Sequence, residues 1–378
     1  MKRNRSLDVL RGVAVLLVIG HHHPYFPIWH RAGGVGVDLF FVLSGFLISG
    51  LLFSEYKRSG RIDFLRFFIR RGFKIYPAYY FFLFLLAFLR GRPTLADLIF
   101  MQSYWPYSWG HTWSLSVEEH FYIALPLVLM LSMRFSRCRN FSWIPYAFPV
   151  VLIACLAMRI ALGPGASERQ IYNPTHLRID ALFAGVTLGW LYHFTRVKLI
   201  VRHRHVALVL SLLLIAPTVF VEGHNYALYT VGLTALLLGF SLLLVWALNS
   251  PWLAHLKAIA TVGKYSYSIY LWHWPIAVFF AWQWRNSLLT FTAYLLTTLA
   301  VGWAMSKMIE EPMLRLRERL VPSVRNYVEA NRKGLTAAAA PARKYLILGA
   351  CGTTIANGSA THQAIVASDN PLPISARK

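Results

Sequence analysis

The sequence predicts an all-α polytopic membrane helix bundle of about ten transmembrane helices, on three observations. Of 378 residues, 57% are hydrophobic and only 14% charged, far less charged surface than a soluble domain of this length carries. Apolar runs near the roughly 20 residues that a helix needs to cross hydrocarbon recur along most of the chain. The basic residues lie in short stretches between those runs. Spans are expected at roughly 7–23, 35–53, 72–90, 115–133, 143–162, 176–194, 205–221, 226–247, 265–282 and 287–306. With this assignment thirty of the 38 Lys and Arg fall on the side of the N-terminus and five on the other, while Arg11, Arg159 and Arg178 fall inside spans. That bias predicts both termini in the cytoplasm.

The first run is expected to be a retained helix rather than a cleaved signal, because polar and charged residues continue from it into the next span without a small-residue cleavage site. Residues 94–104 are too short to cross; with Trp105, Tyr107 and Trp109 they predict an interfacial helix with an aromatic anchor. The junction between the seventh and eighth spans, Glu222-Gly223-His224-Asn225, is the least distinct. A membrane domain over 1–320 and a largely disordered cytoplasmic tail over 321–378 follow from the composition. No internal repeat of the kind common in secondary transporters is present. The net charge of +23 is dispersed among loops, so a nucleic-acid partner is not expected; membrane lipid is. Cys138, Cys155 and Cys351 are far apart in sequence and suggest neither a disulfide framework nor a metal site.

Ionisable groups inside spans cost about 2.5–3.5 kcal/mol each on insertion scales and mark function by default. The first span carries Asp8, Arg11 and the run His21-His22-His23. Asp8 and Arg11, at i and i+3, can pair. Arg11 and His22 are eleven residues apart, so they face the same way about 16 Å apart along the axis. The same residues also read as an interfacial ion pair and an interfacial histidine cap. A glycine-rich stretch with Asp38 opens the second span, where small residues permit close approach of a helix or ligand. Arg71 and Lys74 share one face at the entrance of the third and suit an anionic ligand such as phosphate, or serve only as positive-inside charge. His111, Glu118, Glu119 and His120 open the fourth, where acid–base work or hydroxyl contacts are natural uses. Arg178 and Asp180 cannot face each other at i and i+2, so each needs another partner. Trp272-His273-Trp274-Pro275 reads as a kinked helix with a buried imidazole, structural or functional.

These segments resemble the acyltransferase family 3 membrane proteins. Arg11 and His22 match the Arg-x10-His signature. Gly33 to Gly45 is similar to GGxGVDxFFxxSG, and Arg71 to Pro77 to the basic RxxR element before Ile-Tyr-Pro. Thr112 to Tyr122 is similar to TWSLSVEEQFY, Arg178 to Gly185 to RxDALxxG, Tyr265 to Pro275 to YSxYLWHWP, and Glu311-Pro312 to the closing element. The matches run in order over residues 5–320. The resemblance implies transfer of an acyl group, usually acetyl, from cytoplasmic acyl-CoA to a hydroxyl of a cell-surface glycan, lipid-linked sugar or small molecule, in the bacterial inner membrane. Arg11, His22, Asp38, Arg71 and Glu118 carry over by position. Lys74 stands where the family has the second Arg, keeping the charge but losing the bidentate fork. His120 replaces a Gln.

On this basis His22 is expected as general base on the acceptor hydroxyl, or as an acyl-imidazole carrier. Glu118 is expected to orient His22 or the acceptor. Arg71 and Lys74 are expected on the phosphates of acyl-CoA, with Arg11 guiding the donor. Asp38, Glu119, His120, Arg178 and His273 are candidates for binding the acceptor, and no metal is required. A carrier or flippase for an acyl group or lipid-linked sugar, without chemistry of its own, would use in-span charges equally well. A membrane anchor for a working tail is a further reading, although the tail holds no GDS-type nucleophile stretch.

Overall fold

The computed structural model describes residues 4–90, 92–135, 140–195, 204–220, 225–283 and 286–322, and these form helices, turns and connecting segments without a strand. The helices of the bundle are α1 (Arg5–His21), α2 (Gly36–Ser59), α3 (Phe64–Arg90), α4 (Trp113–Phe135), α5 (Ile144–Ala161) and α6 (Ile179–Phe194). They continue with α7 (Arg204–Phe220), α8 (Leu233–Leu248), α9 (Lys257–Lys264), α10 (Ser266–Gln283), α11 (Leu288–Met305) and α12 (Glu311–Leu320). Each of the ten apolar stretches is helical over most of its described length. The junction at 222–225 and the tail beyond 322 lie largely or wholly outside the described residues.

Among the described residues, five segments are long and apolar enough to cross a membrane unaided: Pro27–Ser59, Trp113–Arg134, Ile144–Ala161, Leu228–Leu248 and Leu288–Leu320. α1 and α6 are shorter, at 17 and 16 residues, and α3 carries Arg66, Arg70, Arg71 and Lys74 within its length. The outward faces are apolar, with Phe84, Leu131, Val150, Leu213 and Leu289 exposed. A soluble monomer does not tolerate so extensive an apolar surface, whereas acyl chains cover it.

α1 occupies the middle of the bundle, against α2, α8, α9 and α10. Asn4 caps it by accepting from the Ser6 N–H at 2.9 Å. It stops at His21, because His22 leaves helical geometry and Pro24 disfavours the helical conformation in the residue before it. Its packing depends on bare backbone. A Cβ on Gly12 would lie 2.2 Å from the Ile259 carbonyl oxygen, and one on Gly263 would lie 1.7 Å from that of Asp8, so α1 and α9 touch main chain to main chain. α2 and α6 meet the same way: Cβ atoms on Gly45 and Gly185 would stand 1.9 and 2.2 Å from the carbonyl oxygens of Leu182 and Val42. Small residues at such crossings are the usual route to helix association in lipid, where burial against tails drives little.

The segment after α3 departs from expectation. Only Leu95–Leu98 is helical, because Thr94 and Asp97 form a capping box and Asp97, fully buried, also accepts from Ser108 N–H and Oγ–H at 3.1 and 2.7 Å. That carboxylate folds the stretch back on itself. Trp109 is thereby buried, and only Tyr104 and Trp105 remain exposed as an anchor.

Candidate active site

His22 follows the last residue of α1 and presents a half-buried imidazole beside α10. Its ring stacks on that of His273 at 5.1 Å and 27°, and the Trp274 ring meets it edge-on at 4.3 Å. His111, on the turn before α4, lies 5.1 Å from His273 on another side. Pro275 explains part of this group. It has no N–H to bond the carbonyl of Leu271 four residues earlier, and His111 Nε2–H donates to that carbonyl at 3.1 Å. His273 Nδ1–H donates to the Tyr270 carbonyl.

A cavity of about 390 Å³ opens beside His22, lined also by Tyr107, His111, Trp113, Tyr172 and Trp274. Asn173 donates to the Tyr107 hydroxyl at 3.1 Å, and the Arg169 guanidinium covers the Tyr107 ring at 4.3 Å. Aromatic walls with a few convergent polar groups are the usual make-up of a small-molecule site. A second, narrower cavity of about 60 Å³ is lined by Arg11, Ser44, Ser114, Glu118 and Tyr267. Val37 and Tyr270 line both. Tyr270 is held in that partition by Ser114 Oγ at 2.5 Å and by donating to the His111 carbonyl at 2.9 Å. Arg11 lines one cavity and His22 the other, with Val37 and Tyr270 as their common wall.

Beyond Arg11 the bundle becomes basic. The Arg71 guanidinium lies over the Tyr122 ring at 4.2 Å, with Nε buried and unpartnered. Tyr122 donates to Glu118 at 2.7 Å and also bonds the Ser44 hydroxyl. Lys74 is in the electrostatic field of Arg11, Arg71, Glu310 and Arg317. α12 closes over this end: Arg70 pairs with Glu318 at 2.7 Å, and Arg66 and Arg70 donate to the carbonyls of Pro322 and Val321 just past the helix C-terminus.

The structure brings together some of the residues singled out in the sequence and separates others. His22 and His273 are in contact, and Arg11, Glu118, Arg71 and Lys74 share the basic end. Glu118 does not stand beside His22. It lies five residues into α4, about 7.5 Å along the axis from Trp113, and its carboxylate is engaged with Tyr122 on the Arg11 side. Glu119 accepts from the Tyr76 hydroxyl at 3.1 Å and lines neither cavity. His120 is turned about 200° from Glu118 around α4 and bonds Thr175 Oγ1 at 2.7 Å, which itself contacts Ser103 Oγ at 3.1 Å. It ties loops together instead of facing a cavity. Asp38 and Arg178 pair with each other, both nearly inaccessible, beneath Tyr172, whose ring the guanidinium covers at 4.4 Å. Asp180 pairs with Arg159 at 2.6 Å. Each member of the Arg178/Asp180 pair thus has another partner, as the i, i+2 spacing requires. Sequence reasoning read Tyr107 as part of an interfacial anchor and gave Tyr172, Tyr270 and Trp274 no role at a site, because aromatics in a membrane protein are too common to signal one.

The sequence profile described as an acyltransferase domain, Acyl_transf_3, matches residues 4–307. The chain is 27% identical over 307 residues to the peptidoglycan O-acetyltransferase OatA of Listeria monocytogenes, covering 72% of this chain and 49% of that one. It is 29% identical to the putative peptidoglycan O-acetyltransferase YrhL of Bacillus subtilis, covering 72% and 48%. It is 30% identical to the O-acetyltransferase OatA of Staphylococcus aureus, covering 72% and 50%. The chain thus spans about half the length of these curated relatives. No solved structure matches. With its ordered set of motifs and a profile match over most of the helical bundle, the chain belongs to the acyltransferase family 3 of membrane proteins.

Proposed function

We propose that the chain transfers an acyl group, acetyl by analogy with the names of its relatives, from acyl-CoA to a hydroxyl of a cell-surface polysaccharide or lipid-linked sugar. The observation that carries this reading is the pair of neighbouring cavities that share Val37 and Tyr270 as a wall, one lined by Arg11 and the other by His22, in a member of an acyltransferase family. In the proposed orientation the chain spans the bacterial inner membrane about ten times. The end bearing Arg71, Lys74 and Arg11 faces the cytoplasm and the His22 end faces outward, as the Lys and Arg bias supports.

Acyl-CoA approaches the basic end, where Arg71 and Lys74 meet its phosphates, and the extended pantetheine arm passes Arg11 and Glu118 towards Tyr270. The acceptor sugar occupies the aromatic cavity. His22 takes the proton of the acceptor hydroxyl as that oxygen bonds to the acyl carbon; the carbon–sulfur bond breaks and the proton passes to the departing thiolate. A positioned base of this kind contributes about 10²–10⁴-fold. Glu118 acts on the donor side, holding Tyr122 and Ser44 around the path.

The test uses the full chain in lipid nanodiscs with radiolabelled acetyl-CoA and lipid-linked or polymeric glycan acceptors. Covalent label on the acceptor, lost in a folded His22→Ala variant, is the expected result. Movement of label or lipid-linked sugar across the bilayer without a covalent product would instead support a carrier or flippase, and wild-type turnover by His22→Ala would remove His22 from the reaction.

A further inference from the structure

We propose that His273 is the positioning residue of His22: its bare Nε2 accepts the hydrogen of one His22 ring nitrogen and so leaves the other free to act as base. This rests on the reading of His22 as general base. The hydrogen bonds of the two buried imidazoles fix their tautomers. A carbonyl oxygen only accepts, so the nitrogen that faces one carries the hydrogen. His273 meets the Tyr270 carbonyl through Nδ1, which puts its hydrogen there and leaves Nε2 as a lone pair. His111 meets the Leu271 carbonyl through Nε2, which leaves Nδ1 bare. A neutral imidazole has one donor and one acceptor nitrogen, and in both rings the donor is used by main chain.

Both bare nitrogens are buried without a partner, in side chains that are 0% and 5% exposed. An unmet buried acceptor costs about 1–3 kcal/mol, so this arrangement is poised for a donor. His273 lies between the other two imidazoles, 5.1 Å from each. His22 is the ring able to supply the donor. It stands past the helix end and half-buried. The His273 Nε2 lone pair lies in the plane of its ring, so His22 brings an N–H to it by moving from the ring face to the ring edge, a change of both its side-chain torsions, the terminal one being a broad well. The unpartnered Trp274 indole N–H follows His273 by one residue and so leaves α10 about 100° away from it. Once His22 has taken the acceptor proton it carries two N–H donors. One remains on His273, and the other returns the proton to the leaving thiolate.

Pro275 keeps the group in register. By freeing the Leu271 carbonyl it fixes the tautomer of His111, which packs edge-on against His273. The Trp-His-Trp-Pro segment thus has a chemical role beyond its kink.

The experiment compares His273→Gln and His273→Leu in the full chain in nanodiscs, with His22→Ala as reference. Gln places an amide oxygen near the position of Nε2 and accepts; Leu does not. His273→Leu is expected to lower kcat by about tenfold to a hundredfold, with KM for both substrates within about twofold and with Gln regaining most of the loss. A folded His273→Leu with wild-type kcat, or Gln and Leu equally impaired, overturns the proposal while leaving His22 in place. Activity in His22→Ala defeats the reading beneath it. Solid-state NMR of the ¹⁵N-histidine-labelled wild-type protein gives a test that needs no folded variant. The expected His273 carries its hydrogen on Nδ1, and hydrogen on Nε2 would overturn the assignment.

Discussion

Removing Asp38 should cost the protein its stability before it costs it a substrate contact. Asp38 and Arg178 form an ion pair between the first turn of α2 and the start of α6, with side chains 2% and 1% exposed. Arg178 Nε already has no partner, and the guanidinium is sandwiched between Tyr172 at 4.4 Å and Phe41 at 5.5 Å. Asp38→Leu leaves this cation buried without its paired carboxylate, the nearby Asp180 being bonded to Arg159, and breaking one side of a buried pair costs about 3–5 kcal/mol. Arg178→Met strands the carboxylate and should cost a similar amount. Replacing both by apolar residues of similar volume is often neutral or stabilising, so the double variant should recover most of the loss. The assay is unfolding of purified protein in mixed micelles, followed by circular dichroism as denaturing detergent is added, for the wild type, both single variants and the double. A coupling energy above about 2 kcal/mol is expected from groups in direct contact. Additive single losses would refute the reasoning. So would an Asp38→Leu protein of full stability that had lost only acceptor affinity, since that result would return Asp38 to the substrate-binding role its place in the sequence suggests.

Three further outcomes follow from the packing and the charges. Gly45→Ala should destabilise the bundle by about 1–3 kcal/mol through overpacking against the Leu182 carbonyl. Gly165→Ala, with open space around it, should stay within about 0.5 kcal/mol, and equal effects in the same unfolding assay would count against close α2–α6 packing. His120→Gln keeps a hydrogen-bonding partner for Thr175 and should cost under about 1 kcal/mol with acceptor KM unchanged; a selective rise in that KM would place His120 at the substrate. Lys74→Arg restores the forked donor suited to phosphate and should lower the KM for acyl-CoA without changing kcat, so an unaltered KM would separate Lys74 from the donor site.

Much of the candidate site is legible in one dimension because helices make it so. The eleven-residue interval between Arg11 and His22 spans almost a whole number of turns, and the two residues do line neighbouring cavities that share a wall. The i, i+2 interval between Arg178 and Asp180 excludes a direct pair, and each has a partner elsewhere. Glu118 and His120 show where this reasoning stops. Their motif places them at the mouth of a helix, but 1.5 Å of rise and 100° of rotation per residue carry Glu118 inward to Tyr122 and turn His120 away to Thr175. The hydrogen-bond partner that decides that direction is 55 residues away in the chain for His120 and only four for Glu118. Even a near neighbour is ambiguous until its ring orientation is known.

The sequence by itself determined the all-helical class and the membership of the family. These follow from composition, local periodicity and ordered motifs, and each is a property of segments about 20 residues long or less. It also marked which in-span charges needed an explanation. Only the tertiary structure decided how those charges were used: Asp38 and Arg178 neutralise each other, while Arg11 and His22 face cavities. It alone set His273 between His22 and His111, and it turned Tyr107, Tyr172 and Tyr270 into walls. The physical reason is that pairing and stacking depend on distances of a few ångströms between helices far apart in the chain. A helix's own repeat fixes the face a residue occupies, but what stands opposite that face is fixed by the packing of the bundle.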